Sequence, residues 1–392
     1  MNSNTRRSPS RKVAGLSLVE LMVALTLGLV LTFALASVYL SSKTAFKRQG
    51  QVSSVQQGIR TAFEYLTSDA RMVGHLGCFT GTGTPTQTSD LLASDLATNF
   101  TIGVAGYEYK NVTANDYTLS SLVPTDVTTS GSWETSSGTG VNTIPIASLS
   151  GDATVGITPG SDVLVIRTTT GAPVRMTAAV GAASTLAIES ISGGKCGSGT
   201  AATSGFCANS FGLVANCTKA RVFKVSSVAA AGAGATLTVG GGNFTAGEYA
   251  PDSTEVFPLR TIAYYVRKSS NGQTASLYRR VFDGTVAAGT EQELIEGVEN
   301  VQITYGRDTT TPDADGVVND YVTANQVTDW SRVVAVRISV LVRAADPLEA
   351  GTTAPSQGVV NGVTVHYPTT GAKYDRRVFT TTVAVRNKIS YF

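Results

Sequence analysis

Histidine is nearly absent from this chain of 392 residues, which holds only His75 and His366. Neither stands at ligand spacing from a partner, and no Cys-x-x-Cys pair occurs, so the usual zinc-site patterns are missing. Also lacking are a Gly-x-Ser-x-Gly elbow, a phosphate loop and a His-Glu-x-x-His helix, and the expectation is a protein that is not an enzyme. Charge is scarce as well: 15% of residues are charged and the formal net charge is +2. Four of the basic residues, Arg6, Arg7, Arg11 and Lys12, fall in the first 15, and without them 26 basic residues face 28 acidic ones. That balance excludes a basic nucleic-acid surface. Finally, no proline stands between Pro9 and Pro85, which leaves room for a long uninterrupted helix.

Where proline is missing, the chain is apolar. Leu16 to Leu40 reads LSLVELMVALTLGLVLTFALASVYL, about 37 Å as a helix and long enough to span a bilayer core. The acid-free basic segment before it reads as a cytoplasmic, positive-inside flank. Glu20 is the single charge in the run, and a carboxylate there costs a few kcal/mol and needs a partner. A secretory signal is cut after its apolar core, whereas the small-residue candidate here, Gly15, precedes it. Cleavage after Gly15 would keep the helix and free an amine at Leu16, four residues before Glu20 on the same helical face.

Beyond the run, Val52, Val55, Ile59, Ala62, Leu66, Ala70 and Val73 recur at steps of three or four, an amphipathic stripe. One helix is thus expected from Leu16 to Val73, with its apolar half at 16–40 and its amphipathic half at 41–73, about 87 Å in all. Gly58 is a weak point in it.

From residue 74 to 392 the chain is rich in Gly, Thr, Ser, Val and Ala, which favours strands and turns. Strands are predicted at 162–167, 220–225, 261–268, 276–282, 300–305, 332–342 and 378–386. The clearest alternates Val334, Val336, Ile338, Val340 and Val342 with Ala335, Arg337, Ser339 and Leu341, one face on a core. Asn271-Gly272 predicts a hairpin turn. The stretches 81–140 and 229–243 lack a helical period and read as loops with short edge strands. The fold class is therefore α+β: a long N-terminal helix packed on a large, mostly antiparallel β-rich head.

Four cysteines, Cys78, Cys196, Cys207 and Cys217, suggest two disulfides in an oxidising compartment, and three pairings are open. Cys78–Cys217 with Cys196–Cys207 is slightly favoured, since a bridge from Cys78 would fasten the helix to the head. Asp313, Asp315 and Asp320 are the candidate calcium ligands in an acidic loop. The loop departs from an EF-hand because Gly316 comes too early and no bidentate Glu follows, so a solvated turn is the preferred reading. No other cofactor is expected. Trp133, Tyr264, Tyr265 and Trp330 are candidates for a ligand-binding face, with strand packing as the plainer alternative.

The leader charge, Gly15, the LVEL core and the apolar run resemble the class III signal of type IV pilins and of type II secretion pseudopilins. The resemblance implies cleavage after Gly15 by a prepilin peptidase, methylation of Leu16, and pairing of Glu20 with the N-terminal amine of a neighbouring subunit. Leu16 and Ser17 depart from the commoner Phe-Thr. Ser37 replaces a kinking proline, which implies a straighter helix.

The segments 16–25, 38–46, 63–78, 161–167, 276–280, 293–308 and 329–343 narrow the resemblance to PilW-like minor pilins. That implies a type IV pilin-like fold and a part in pilus assembly and priming at the filament tip, and so in twitching motility and attachment. Other minor pilins, the major pilin, the prepilin peptidase and the inner-membrane assembly platform are the implied partners. The implied location is the inner membrane with a periplasmic head, then the pilus fibre. A J-type minor pseudopilin of type II secretion and a tip adhesin remain the alternatives.

Overall fold

A computed structural model describes residues 15, 17–79, 85–92, 95–110, 115–136, 149, 156–180, 184–190, 192–196, 201–231, 234–242, 244–311, 315–349 and 351–385. The chain divides into two compact units, Met1–Ser54 and Val55–Phe392. One helix, α1 (Leu18–Arg71), begins in the first and ends in the second.

From Leu18 to Leu40 the helix is apolar on every side but for Glu20, and its side chains are bare: Leu18 is 75% exposed and Phe33 76%. It is long and apolar enough to cross a membrane, with a mean hydropathy of 2.4 in its most apolar window.

The second unit is built of strands. Its larger sheet runs β4 (Trp133–Glu134), β2 (Val104–Tyr109), β5 (Val163–Thr169), β13 (Glu255–Lys268), β10 (Phe211–Ala215), β11 (Ala220–Ala231), β12 (Gly234–Val239) and β7 (Thr185–Glu189). The long strand β13 also carries β14 (Ala275–Phe282) and then β15 (Thr290–Glu296) beside its C-terminal half, and β6 (Val174–Arg175) beside its start. The short β1 (Thr86–Gln87) joins β11 in parallel.

A second sheet has the order β17 (Asp320–Val322), β16 (Val298–Arg307), β18 (Val333–Arg343) and β21 (Arg376–Ala384), all antiparallel. Two small sheets complete the described strands. One is β19 (Gln357–Val360), β20 (Val363–His366) and β3 (Asp116–Thr118), and the other is β8 (Ser192–Lys195) with β9 (Ala201–Thr203).

The main core draws on the end of α1 and on both large sheets. Ile59, Ala62, Leu66 and Ala70 share it with Leu164, Ile166 and Ile262 of the larger sheet and with Val301, Ile303, Val336, Ile338 and Val340 of the smaller. The opposite face of the larger sheet is also covered, by a cluster containing Tyr107, Trp133, Val163, Val165, Ala263 and Tyr265. Burial on both faces is why β5 reads as a continuous apolar run rather than an alternation.

The seven predicted strands form, with ends that differ by a few residues. Two readings change. Residues 229–243 are not mainly loop: β11 continues to Ala231 and pairs with β12, where Ala235, Leu237 and Val239 are buried in strict alternation. Within 81–140, β2 is no edge but lies between β4 and β5, fully buried. Its Gly106 argues against a strand by propensity, yet a Cβ there would overlap the Tyr305 hydroxyl, so the site requires glycine.

The helix ends at Arg71 rather than Val73. Its last turn tightens, with Met72 and Val73 amides donating to Asp69 and Ala70 carbonyls at 3.3 and 3.4 Å. Gly74 then takes φ 68°, a left-handed stop that glycine adopts without strain. The 269–274 hairpin turn forms as predicted, with Gly272 at φ 73°.

Candidate functional site

The apolar half of α1 contains polar side chains, and most are satisfied within the helix. Thr26 donates to the Val23 carbonyl at 2.9 Å, Ser37 to Ala34 at 2.8 Å, and Thr32 to Gly28. Glu20 differs. It sits in the first turn, where the helix dipole favours an acid, beside Ser17, Val23, Ala24 and Leu27. Among the described residues nothing pairs with its carboxylate. Gly15 is exposed; Leu16 lies outside the described residues.

In the amphipathic half Glu64 is exposed, but Asp69 is treated in the opposite way to Glu20. It is buried and held by three side chains of the larger sheet. Arg260 Nη2 reaches Oδ1 at 3.2 Å, while Arg279 Nε and Nη2 reach Oδ2 at 2.9 and 2.8 Å. The Tyr264 hydroxyl donates to Oδ2 at 2.5 Å. Burial, reinforced by the Asp69 carboxylate, raises the Tyr264 phenol far above its ordinary value, so it stays a donor. Sequence reading passed over this cluster. The available signal was an acid in the last helical turn, the wrong end of the dipole, which calls for a nearby cation.

Residues after Asp69 are stitched to the same sheet. Thr168 Oγ1 donates to the Met72 carbonyl at 3.0 Å, and Val73 forms a bridge with Thr168. Five residues beyond Val73, Cys78 is joined to Cys217 in the turn between β10 and β11, with Cα atoms 4.7 Å apart. The second disulfide, Cys196–Cys207, has Cα atoms 6.1 Å apart. This is the favoured pairing of the three. Farther up the helix, Gly58 is where β15 comes closest: a Cβ there would stand 2.7 Å from Ile295 Cδ1. The expected weak point is a contact point.

The acidic loop is organised by its own backbone. Asp308 accepts from the Gly316 and Thr310 amides at 2.6 and 3.0 Å; burial works the other way, but these bonds hold its carboxyl below the ordinary value. Asp320 is engaged by Arg307, Nε at 3.0 Å and Nη2 at 2.5 Å. Asp315 accepts from the Val317 amide at 2.9 Å, and Asp313 lies outside the described residues. Among the described residues no group of three His, Cys, Asp or Glu stands close enough to hold a metal. The four aromatics offered as a ligand face, with packing as the plainer reading, are all buried: Tyr264 and Trp330 in the core shared with α1, and Trp133 and Tyr265 in the cluster on the opposite face of the larger sheet. His366 pairs with Asp116 at 3.0 Å.

What these features define is a candidate single-span anchor whose helix is built, at its far end, into a disulfide-bonded β body. Residues 263–387, from within β13 through β21, match the PilW family, Type IV Pilus-assembly protein W. The match supports a PilW-like protein involved in type IV pilus assembly. No curated protein and no solved structure matches the chain.

Proposed function

We propose that this chain is a minor pilin that helps prime type IV pilus assembly at the filament tip and thereby serves twitching motility and attachment. The observation that carries the reading is Glu20: a carboxylate without a partner among the described residues, one turn into a bare apolar helix whose other half is locked into a β body. Such a group is satisfied by an amine freed at Leu16, from a neighbouring subunit in a bundle of like helices. The PilW match and the two disulfides, which suit an oxidising compartment, support the same reading, with the head in the periplasm before assembly. Neighbouring minor pilins, the major pilin and the assembly platform are the partners it requires, and a prepilin peptidase is the enzyme that acts on Gly15.

Deleting the gene and counting surface filaments tests the proposal, with filaments expected to be lost or sharply reduced. Normal numbers of pili would overturn the priming role, and loss of type II secretion with pili intact would move the chain to the pseudopilins. Glu20→Ala should still insert but be recovered in sheared pili at least about tenfold less, the factor that about 1.4 kcal/mol of lost pairing gives. Equal recovery would remove the pairing model. Intact mass should show loss of residues 1–15 and a methyl group on Leu16.

A further inference from the structure

The edges of the two large sheets are not treated alike. β4 and β17 are two and three residues long, and β7 is five. β15 is longer but carries Glu291, Glu293 and Glu296, charges of the kind that keep an edge from pairing. β21 is less protected, its two charges, Arg376 and Arg377, standing together at one end. It runs nine residues, Arg376–Ala384, with no bulge in its register against β18 and no charge, proline or glycine from Val378 to Ala384.

The direction of its free groups follows from one bond. The Val385 amide donates to the Val334 carbonyl at 2.8 Å, in line with the β18–β21 register. In an antiparallel ladder each residue turns its N–H and C=O to the same side, and the side alternates. Odd-numbered residues therefore face β18, and Arg376, Val378, Thr380, Thr382 and Ala384 turn theirs to the other side, where no described strand pairs with them. Val378, Thr380, Thr382 and Ala384 are exposed, and Phe379 is only half-buried.

We propose that this edge pairs with a second copy of the chain, β21 against β21, antiparallel and centred on Thr380. Self-pairing fits because the centre at Thr380 uses all five outward residues of each copy, giving about ten backbone hydrogen bonds. Phe379 then lies across from Thr381 of the partner and completes its burial on the core face. Charge selects the direction. The strand's cations, Arg376 and Arg377, stand at one end, so parallel pairing sets Arg377 against Arg377, whereas antiparallel pairing separates the two ends by about 27 Å.

Single-cysteine variants of the full chain in detergent, oxidised and then resolved without reductant, test the register. Thr380 faces its own copy at about 5.5 Å between Cα atoms, within disulfide reach. Thr382 stands about 14 Å from its own copy, out of reach. A reducible dimer is expected at least about tenfold more from Thr380→Cys than from Thr382→Cys, and again from the double variant Val378→Cys with Thr382→Cys. Thr380→Lys sets two ammonium groups face to face and should weaken the dimer at least about tenfold by sedimentation, with its melting temperature reporting any folding defect. No dimer from Thr380→Cys, equal yields from Thr380→Cys and Thr382→Cys, or cross-linking only to a different protein would overturn the proposal.

Discussion

Residues 18–40 and 55–71 belong to one helix, yet they meet opposite surroundings. In the first, leucines and a phenylalanine are more than half exposed; in the second, Ala62 and Ala70 are fully buried. Each stretch carries an acid whose fate differs accordingly: Glu20 is left without a partner among the described residues, and Asp69, unlike the exposed Glu64, is held by two arginines and a tyrosine. Helix propensity does not separate the two. The arrangement of apolar residues does, since an all-round apolar surface needs lipid or like helices while a stripe needs one core.

The sharpest way to break this contrast is to remove the acid from the buried half. Asp69→Ala leaves Arg260 and Arg279 facing each other without a carboxylate and should cost about 3–5 kcal/mol of head stability, read by denaturant unfolding of the full chain. A second comparison uses one residue type in both halves. Leu66→Ala should cost about 2–5 kcal/mol, and Leu27→Ala, on the bare half, less than about 0.5 kcal/mol in the same experiment. Equal costs would show that the apolar half also supports the head.

The third prediction concerns acids in the head that lack the cations Asp69 enjoys. Asp162 accepts amides from both large sheets, Tyr109 at 3.4 Å and Ile303 at 2.8 Å. Nearby are Glu108, whose buried Oε2 has no hydrogen-bond partner among the described residues, and the Tyr305 hydroxyl, likewise without one among them, with Glu134 opposite Glu108 in the β2–β4 register. Burial pushes Glu108 up from 4.5 to about 7, with an Ala324 amide opposing and Glu134 adding to it, and raises Asp162 well above its ordinary value. A raised folded pKa gives stability that is fully present below the unfolded value and lost as pH rises. The head should therefore melt at a higher temperature at pH 5 than at pH 7.5, Glu108 alone contributing about 2 kcal/mol over that window. Glu108→Gln should flatten that slope, and a melting temperature that rises with pH across the window would contradict the assignment.

The smallest effect is at glycine. Gly50→Ala meets nothing within 4 Å and should gain up to about 1 kcal/mol of helix stability. Gly58→Ala should gain less or lose, because the new Cβ would stand 2.7 Å from Ile295 Cδ1 and that side chain must move aside.

Much of this contrast was legible before any coordinates. The apolar run, the stripe and the alternation at 334–342 are direct readings of a period, and periods survive whatever packs against them. What was missed has a weak period or none. β2 hides behind Gly106, which is there to admit the Tyr305 hydroxyl, a contact between residues 199 positions apart. β12 does alternate, but it sets Ala235, Leu237 and Val239 against glycine and threonine, a slight contrast over six residues. The Asp69 cluster needs Arg260, Tyr264 and Arg279, and adjacent Arg279 and Arg280 serve opposite faces of β14: Arg279 meets Asp69, and Arg280 meets Glu291 at 3.1 Å. A pair of neighbouring arginines in a strand reads as surface charge until both faces are known to be covered. For the four aromatics the plainer of the two readings, packing, is the one the cores bear out.

The bridge between Cys78 and Cys217 closes a covalent ring around 139 positions of sequence, and strands β1 to β10 all lie inside it. A pull along α1 thus has a shortcut: tension entering at Cys78 crosses the sulfurs into the β10–β11 turn and bypasses the backbone of every strand in the ring. Under reducing conditions the same pull would run through that backbone, so the disulfide sets which part of the head feels a force as well as how stable it is.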